Sequence, residues 1–137
     1  MSLRKFGAAL TLGFLAATMQ LSCTKKTDSS NDGAKFVGTW SGTSSCGGAS
    51  SFVLNAGSDG NKVTNSGTAG SGACLKNVTL TYTANGNNLV LPSQTFTDNC
   101  GLSYTMSGSG TLSGNVLTIT QTATGGVNAT CVFTGTK

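Results

Sequence analysis

From Lys35 onward the chain alternates between apolar and polar positions. Leu102, Tyr104, Met106, Gly108, Gly110 and Leu112 fall in one phase, with Ser103, Thr105, Ser107, Ser109 and Thr111 in the other. Val78, Leu80 and Tyr82 alternate with Thr79, Thr81 and Thr83 in the same way. Successive side chains of a strand point to opposite faces, so each stretch reads as a strand with one buried and one wet face. Turn signals divide these stretches at a nearly constant interval: Gly47-Gly48, Asp59-Gly60, Gly70-Ser71-Gly72, Asn85-Gly86, Asn99-Cys100-Gly101, Ser113-Gly114-Asn115 and Gly125-Gly126. Asp-Gly and Asn-Gly predict tight hairpins with positive φ at both central residues. Seven such turns predict eight strands, and no stretch of helical period separates them, so the fold class is all-β, an antiparallel up-and-down meander.

Eight short strands joined by hairpins can close into a small barrel, which removes the exposed edges that an open Thr-rich sheet would present. A two-sheet sandwich is the alternative. Two segments fit the alternation less well. Lys62 to Ala69 carries only Val63 among small polar residues and predicts an edge-like or irregular strand, and Pro92 interrupts Leu89-Val90-Leu91, predicting an edge or a bulge because proline donates nothing to a ladder. The inward phase would place Trp40, Phe52, Leu54, Tyr82, Tyr104, Met106 and Phe133 in the interior, as core or as the lining of a site for a small apolar ligand. A barrel of this size has room for side chains or for one small ligand.

Composition narrows the chemistry. The 137 residues hold no His, and the four carboxylates are Asp28, Asp32, Asp59 and Asp98. General acid-base and nucleophilic catalysis have almost no raw material, since Ser and Thr are abundant but have no His to activate them. A meander puts Asp59, in loop two, and Asp98, in loop five, at opposite ends, where each serves turn chemistry. The glycines follow hairpin spacing and open no helix, so there is no phosphate loop. The chain is read as non-enzymatic and without a cofactor.

The cysteines extend the topology. Loops one, three, five and seven of a meander share one end, and Cys46, Cys74, Cys100 and Cys131 all approach it, with Cys46 and Cys131 in the inward phase. Disulfides between these loops are expected, and no metal site is, because the paired Cys-x-x-Cys spacing of structural zinc is missing. Of three connectivities, Cys46–Cys74 with Cys100–Cys131 is favoured over Cys46–Cys131 with Cys74–Cys100.

The first residues differ from the rest. Arg4 and Lys5 precede an apolar run from Phe6 to Met19, too short to span a bilayer as a helix, so residues 1–22 read as a secretory signal. The run ends in Leu21-Ser22-Cys23, which resembles a bacterial lipoprotein lipobox, although Gln20 stands where that family usually has an aliphatic residue. The resemblance implies a lipid on Cys23, a cell-envelope location and attachment to the membrane through that anchor. Thr24, in place of an aspartate retention signal, implies the outer membrane. Residues 23–34 are polar and read as a lipidated flexible tether, and 35–137 as the barrel domain. Removing the signal leaves six Lys against four Asp, a net charge of +2 with no basic cluster, so nucleic acid is not an expected partner.

The strand Phe36-Val37-Gly38-Thr39-Trp40-Ser41-Gly42 resembles the Gly-x-Trp signature of lipocalin-like barrels, where the Trp packs across a closed end. The segment from Phe52 to Gly60 is similar to the first hairpin of streptavidin-like barrels. That family encloses its ligand with several tryptophans, and Trp40 is the only one here, so biotin is not an expected ligand. Three roles stay open: a binder of a small apolar ligand, a surface protein meeting another envelope protein or a glycan through its loops, and a structural lipoprotein.

Overall fold

A computed structural model describes residues 31–137. The expected signal 1–22, Cys23 and most of the expected tether lie outside the described residues. Eight antiparallel strands follow in chain order and close into a barrel: β1 (Gly38–Ser44), β2 (Gly48–Ala56), β3 (Lys62–Ala69), β4 (Lys76–Asn85), β5 (Asn88–Thr97), β6 (Ser103–Ser113), β7 (Val116–Gly125) and β8 (Ala129–Thr136). The ring is completed by β8 on β1, from Ser41 opposite Thr136 to Ser44 opposite Phe133. All seven turns fall where the glycines predict them, and the architecture is the meander barrel rather than the sandwich.

Two details of the turns correct the sequence reading. At β4–β5 and β6–β7 the two central residues are Gly86-Asn87 and Gly114-Asn115, flanked by the pairs Asn85–Asn88 and Ser113–Val116. Positive φ occurs at the glycine alone, +56° and +59°, which is the type II′ arrangement and not I′. Leu102, counted by phase with the buried face, lies in the loop before β6 and is half exposed.

The inward phase supplies the core. Trp40, Leu54, Val63, Tyr82, Leu89, Leu91, Leu117 and Ile119 are almost completely buried, joined by Leu80, Ala84 and Phe133. Several glycines are wall residues rather than turns. A Cβ on Gly108 would lie 2.1 Å from the carbonyl oxygen of Thr120, and one on Gly42 would lie 1.9 Å from that of Thr134. Neighbouring strands therefore approach too closely there for any side chain, while large residues opposite, such as Leu91 across from Gly108, fill the lumen.

Most of this core lies toward the pole formed by loops two, four and six, and the chain seals that pole with a short 3₁₀ helix, Asp32–Phe36. Phe36 is fully buried and its carbonyl accepts a 2.8 Å hydrogen bond from the Trp40 indole. Gly33 donates its amide to Gly60 at 2.9 Å, and the Asp32 carboxylate accepts from the Gly86 amide at 2.8 Å. Asp32 to Ala34, given to the tether by composition, therefore belong to the folded domain. Their polarity hid this, because the segment docks through backbone and carboxylate bonds with Phe36 as its one large apolar anchor. At the other terminus Lys137 donates to the carbonyls of Lys35 and Val37, each at 2.8 Å, with its ammonium 4.6 Å from the Trp40 ring centre.

The ladders are uneven, as Lys62–Ala69 and Pro92 predict. β3 pairs with β4 over its full length but with β2 only at Asn55–Thr64 and Ala56–Val63. β4 meets β5 only at Thr83–Val90, Ala84–Leu89 and Asn85–Asn88, and the register on the far side of β5 shifts between Leu91 and Gln94, around Pro92. Toward the opposite end the β3–β4 hairpin thus stands away from both neighbours. Side chains bridge these seams. The Gln94 amide donates to the Thr81 carbonyl at 2.7 Å and accepts from its amide at 3.1 Å, replacing a backbone pair, and Asn65 donates to the Val53 carbonyl at 2.9 Å.

Candidate binding site at the disulfide rim

The four cysteines of the domain meet at the end opposite the 3₁₀ helix, as the meander requires, but their pairing is Cys46–Cys131 and Cys74–Cys100. The favoured alternative is overturned by the ladders. Loop one lies along β8, where Ser45 and Val132 exchange two 2.9 Å hydrogen bonds, so Cys46 faces Cys131. Cys74 sits beside loop five, whose Asn99 amide donates to its carbonyl at 3.0 Å. A Cys46–Cys74 bond would have to cross the β2–β3 seam, where no pairing brings the strands together. Cys46 also lies past the end of β1 and is exposed, so its inward phase does not carry it into the barrel.

Beneath this rim the lumen is open. Two of the upper strands turn small residues inward, Ala69 on β3 and Ala123 on β7, which leave space unfilled. The larger cavity, about 420 Å³, lies between Thr68–Ser71 at the tip of β3 and the wall formed by Tyr104, Met106, Ala123, Gly126 and Val127. That volume falls within the range of pockets that hold small molecules. A smaller one of about 220 Å³ lies under the Cys46–Cys131 bond, bordered by Phe52, Phe133, Ile119 and Gln121. Phe52 and Phe133 stack there with ring centres 5.3 Å apart. Below both, Gln121 on β7 donates across the barrel to the Tyr82 hydroxyl on β4, a polar tie between the filled and open halves. Burial of that hydroxyl pushes Tyr82 up to about 12, so it stays neutral under all ordinary conditions. A wider hollow of about 490 Å³ on the β3–β4 hairpin is lined by Ser66, Gly67, Thr68, Asn77, Val78 and Thr79, and it lacks the apolar walls of the rim cavity.

The interior residues expected from the sequence separate accordingly. Trp40, Leu54 and Tyr82 are filled core. Phe133 and Phe52 stand at the boundary, and Tyr104 and Met106 line the large cavity. The sequence reading missed the facing wall, Ala69 to Ser71, and also Ala123 and Val127. The pairing Met106–Ala123 in the β6–β7 ladder is the signal that could have found one of them.

One charged group governs the rim. Asp98 is 7% exposed, and its Oδ1 accepts from the amides of Cys100 and Leu102, both at 2.9 Å, while Oδ2 accepts from the Tyr104 hydroxyl at 3.2 Å. The Leu102 amide, with the Cys100 amide and the Tyr104 hydroxyl behind it, holds the carboxyl below the usual aspartate range against the opposing effect of burial. Burial raises the Tyr104 phenol, and the negative Asp98 beside it raises it further. Asp98 thus performs the turn chemistry expected of it, and it fixes a cavity residue as well. The Asp59 carboxylate, at the other pole, accepts from the nearby Asn61 amide at 3.2 Å, and its backbone carbonyl accepts from the Lys62 amide at 3.0 Å.

Three aliphatic side chains from three different loops of the rim are exposed: Leu75, Leu102 and Val127 at 46%, 49% and 49%, of which Val127 lines the cavity. Comparison with known proteins found no matching family model, no matching curated protein and no matching solved structure.

Proposed function

We propose that this chain is an exported, lipid-anchored barrel that holds a small apolar ligand in its disulfide-bound mouth and performs no catalysis. The observation that carries the reading is the cavity of about 420 Å³ walled by Met106, Tyr104, Ala123 and Val127, with no Lys, Arg or His among its lining residues. The two disulfides suit an oxidising compartment outside the cytoplasm, in keeping with the lipobox-like Leu21-Ser22-Cys23. The geometry is also useful for an anchored carrier. The described chain enters at Asn31, beside the sealed pole, so a tether to a lipid on Cys23 would leave the mouth unobstructed. The lipocalin-like reading of Gly38-Thr39-Trp40 agrees with this polarity, since Trp40 packs across the sealed end.

Native mass spectrometry of the protein extracted from envelopes tests the reading. A bound small molecule, lost in Met106→Trp, supports it; unliganded protein at every preparation contradicts it. Replacing Cys23 by Ser should shift the protein from the membrane to the soluble fraction, and retention in the membrane would refute the anchor. The second reading is a protein-protein contact through the rim, and the exposed Leu75, Leu102 and Val127 favour it. These are aliphatic, which suits another envelope protein better than the ring-stacking usual for a glycan.

A further inference from the structure

The large cavity has walls of two kinds. Met106, Ala123 and Val127 offer apolar surface, while Thr68, Ser71 and Tyr104 bring hydroxyls, of which that of Tyr104 is committed to Asp98. Its hydroxyl proton is given to Asp98 Oδ2 at 3.2 Å, and Asp98 Oδ1 is occupied by two backbone amides. The ring is held in place from behind. A Cβ on Gly126 would lie 2.5 Å from Tyr104 Cε1 and 2.6 Å from Cζ, so only a glycine lets the phenol lie there.

With its proton spent on a carboxylate, the Tyr104 oxygen can meet a ligand only as an acceptor. Donation to a charged partner also makes that oxygen a better acceptor. An anion entering the cavity would lie near the ionised Asp98, held just behind Tyr104, with only the neutral hydroxyls of Thr68 and Ser71 and no Lys, Arg or His in the lining to offset it, and burying an unpaired charge is costly. A cation would be drawn by the same charge but could not pair with it, because Asp98 lies behind Tyr104 and outside the lining, and it would be buried without a partner.

Resting on the ligand-binding reading above, we infer that the mouth selects uncharged, largely apolar molecules that carry a hydroxyl or amide donor, with Tyr104 and Asp98 as the specificity-determining pair. The apolar wall accepts the body of the ligand, and the donor caps the Tyr104 oxygen. Carboxylate-bearing lipids such as free fatty acids are excluded.

Calorimetric titration with three probes of one shape tests this: 2-naphthol, which is neutral and has a donor; 2-methoxynaphthalene, which is neutral without one; and 2-naphthoate, which is anionic. The wild-type protein should bind 2-naphthol about fivefold tighter than 2-methoxynaphthalene, the size of one neutral hydrogen bond, and 2-naphthoate weakest. Tyr104→Phe keeps the ring on Gly126 and should bring the first two probes within about twofold of each other. Asp98→Asn places an amide donor against the Tyr104 oxygen, which frees the phenol proton, so 2-naphthoate should gain affinity relative to 2-naphthol. This second variant keeps the test valid should Tyr104→Phe fail to form both disulfides. Equal affinity for 2-naphthol and 2-methoxynaphthalene, or tighter binding of 2-naphthoate, would overturn the selectivity while leaving the cavity as a binding site. No heat with any of the three would overturn the binding reading itself, and the selectivity with it.

Discussion

The two ends of this barrel are built from the same alternating pattern and come out opposite. At the sealed pole the inward positions hold Leu54, Val63, Tyr82, Ala84, Leu89 and Leu117, and Phe36 closes the remaining gap from outside the sheet. At the rim β3 and β7 turn small residues inward, Ala69 and Ala123, beside Tyr104 and Met106 on β6, and the ladders on both sides of the β3–β4 hairpin have ended. A small lumen needs large residues from most of its strands to fill it, so the small residues on β3 and β7 leave a cavity against Tyr104 and Met106. What apolar packing supplies at the pole, covalent bonds and one carboxylate supply at the rim. Period two specifies which face is inward; residue volume along that face decides whether the interior is core or site.

That contrast predicts a ranking of mutational effects. Trp40→Ala removes the largest buried side chain of the pole and its hydrogen bond to Phe36, and should cost about 3–5 kcal/mol in chemical denaturation; a loss under 1 kcal/mol would mean the pole is not the stabilising half. Removing a rim disulfide should come next. Cys46→Ser with Cys131→Ser opens a sequence separation of 85 residues, against 26 for Cys74→Ser with Cys100→Ser. The first should cost more, each about 2–5 kcal/mol, if denatured-chain entropy dominates. A larger loss from the Cys74–Cys100 pair would instead show that this bond holds the hairpin to loop five in the native state.

The acid response comes third. Asp98 has a lowered native pKa, so the stability it adds is present above the ordinary aspartate range, near about 4, and is lost as pH falls from there through the native value. Melting temperatures should fall over that window in the wild type and fall less steeply in Asp98→Asn; parallel curves would show that Asp98 contributes nothing. Smallest of all, Leu102→Ser on the exposed rim should change stability by no more than about 0.5 kcal/mol. Should it also abolish capture of a partner protein from envelope extracts, the rim would be a contact surface rather than a ligand entrance.

Much of this was legible in the sequence because it depends on local chemistry. Turns announce themselves through Gly and Asn, so strand number, order and the convergence of Cys46, Cys74, Cys100 and Cys131 followed from counting. Pro92 announced its bulge through a missing donor. What escaped depends on strands meeting in space. The disulfide pairing turned on which neighbours stay in register at the rim, and nothing near Cys46 or Cys74 records that β2 and β3 separate after Thr64. The glycines at 42 and 108 look like their turn counterparts in sequence, yet they are wall positions set by the approach of Thr134 and Thr120. Asp32 to Ala34 read as linker because the bonds that dock them are made to Gly60 and Gly86, well along the chain. The Asp98–Tyr104 bond, across the β5–β6 turn, gave no sign beyond two residues of the right type six apart.

One half of the barrel is filled, and the other is proposed to receive a ligand. An amide-resolved nuclear magnetic resonance titration of the folded domain with 2-methoxynaphthalene reads both halves at once. The account predicts saturable shifts at Ala69, Ser71, Met106, Ala123 and Val127, with Leu54, Val63 and Leu117 unmoved. Shifts at the sealed pole, or none at the rim up to the solubility limit of the probe, would contradict it.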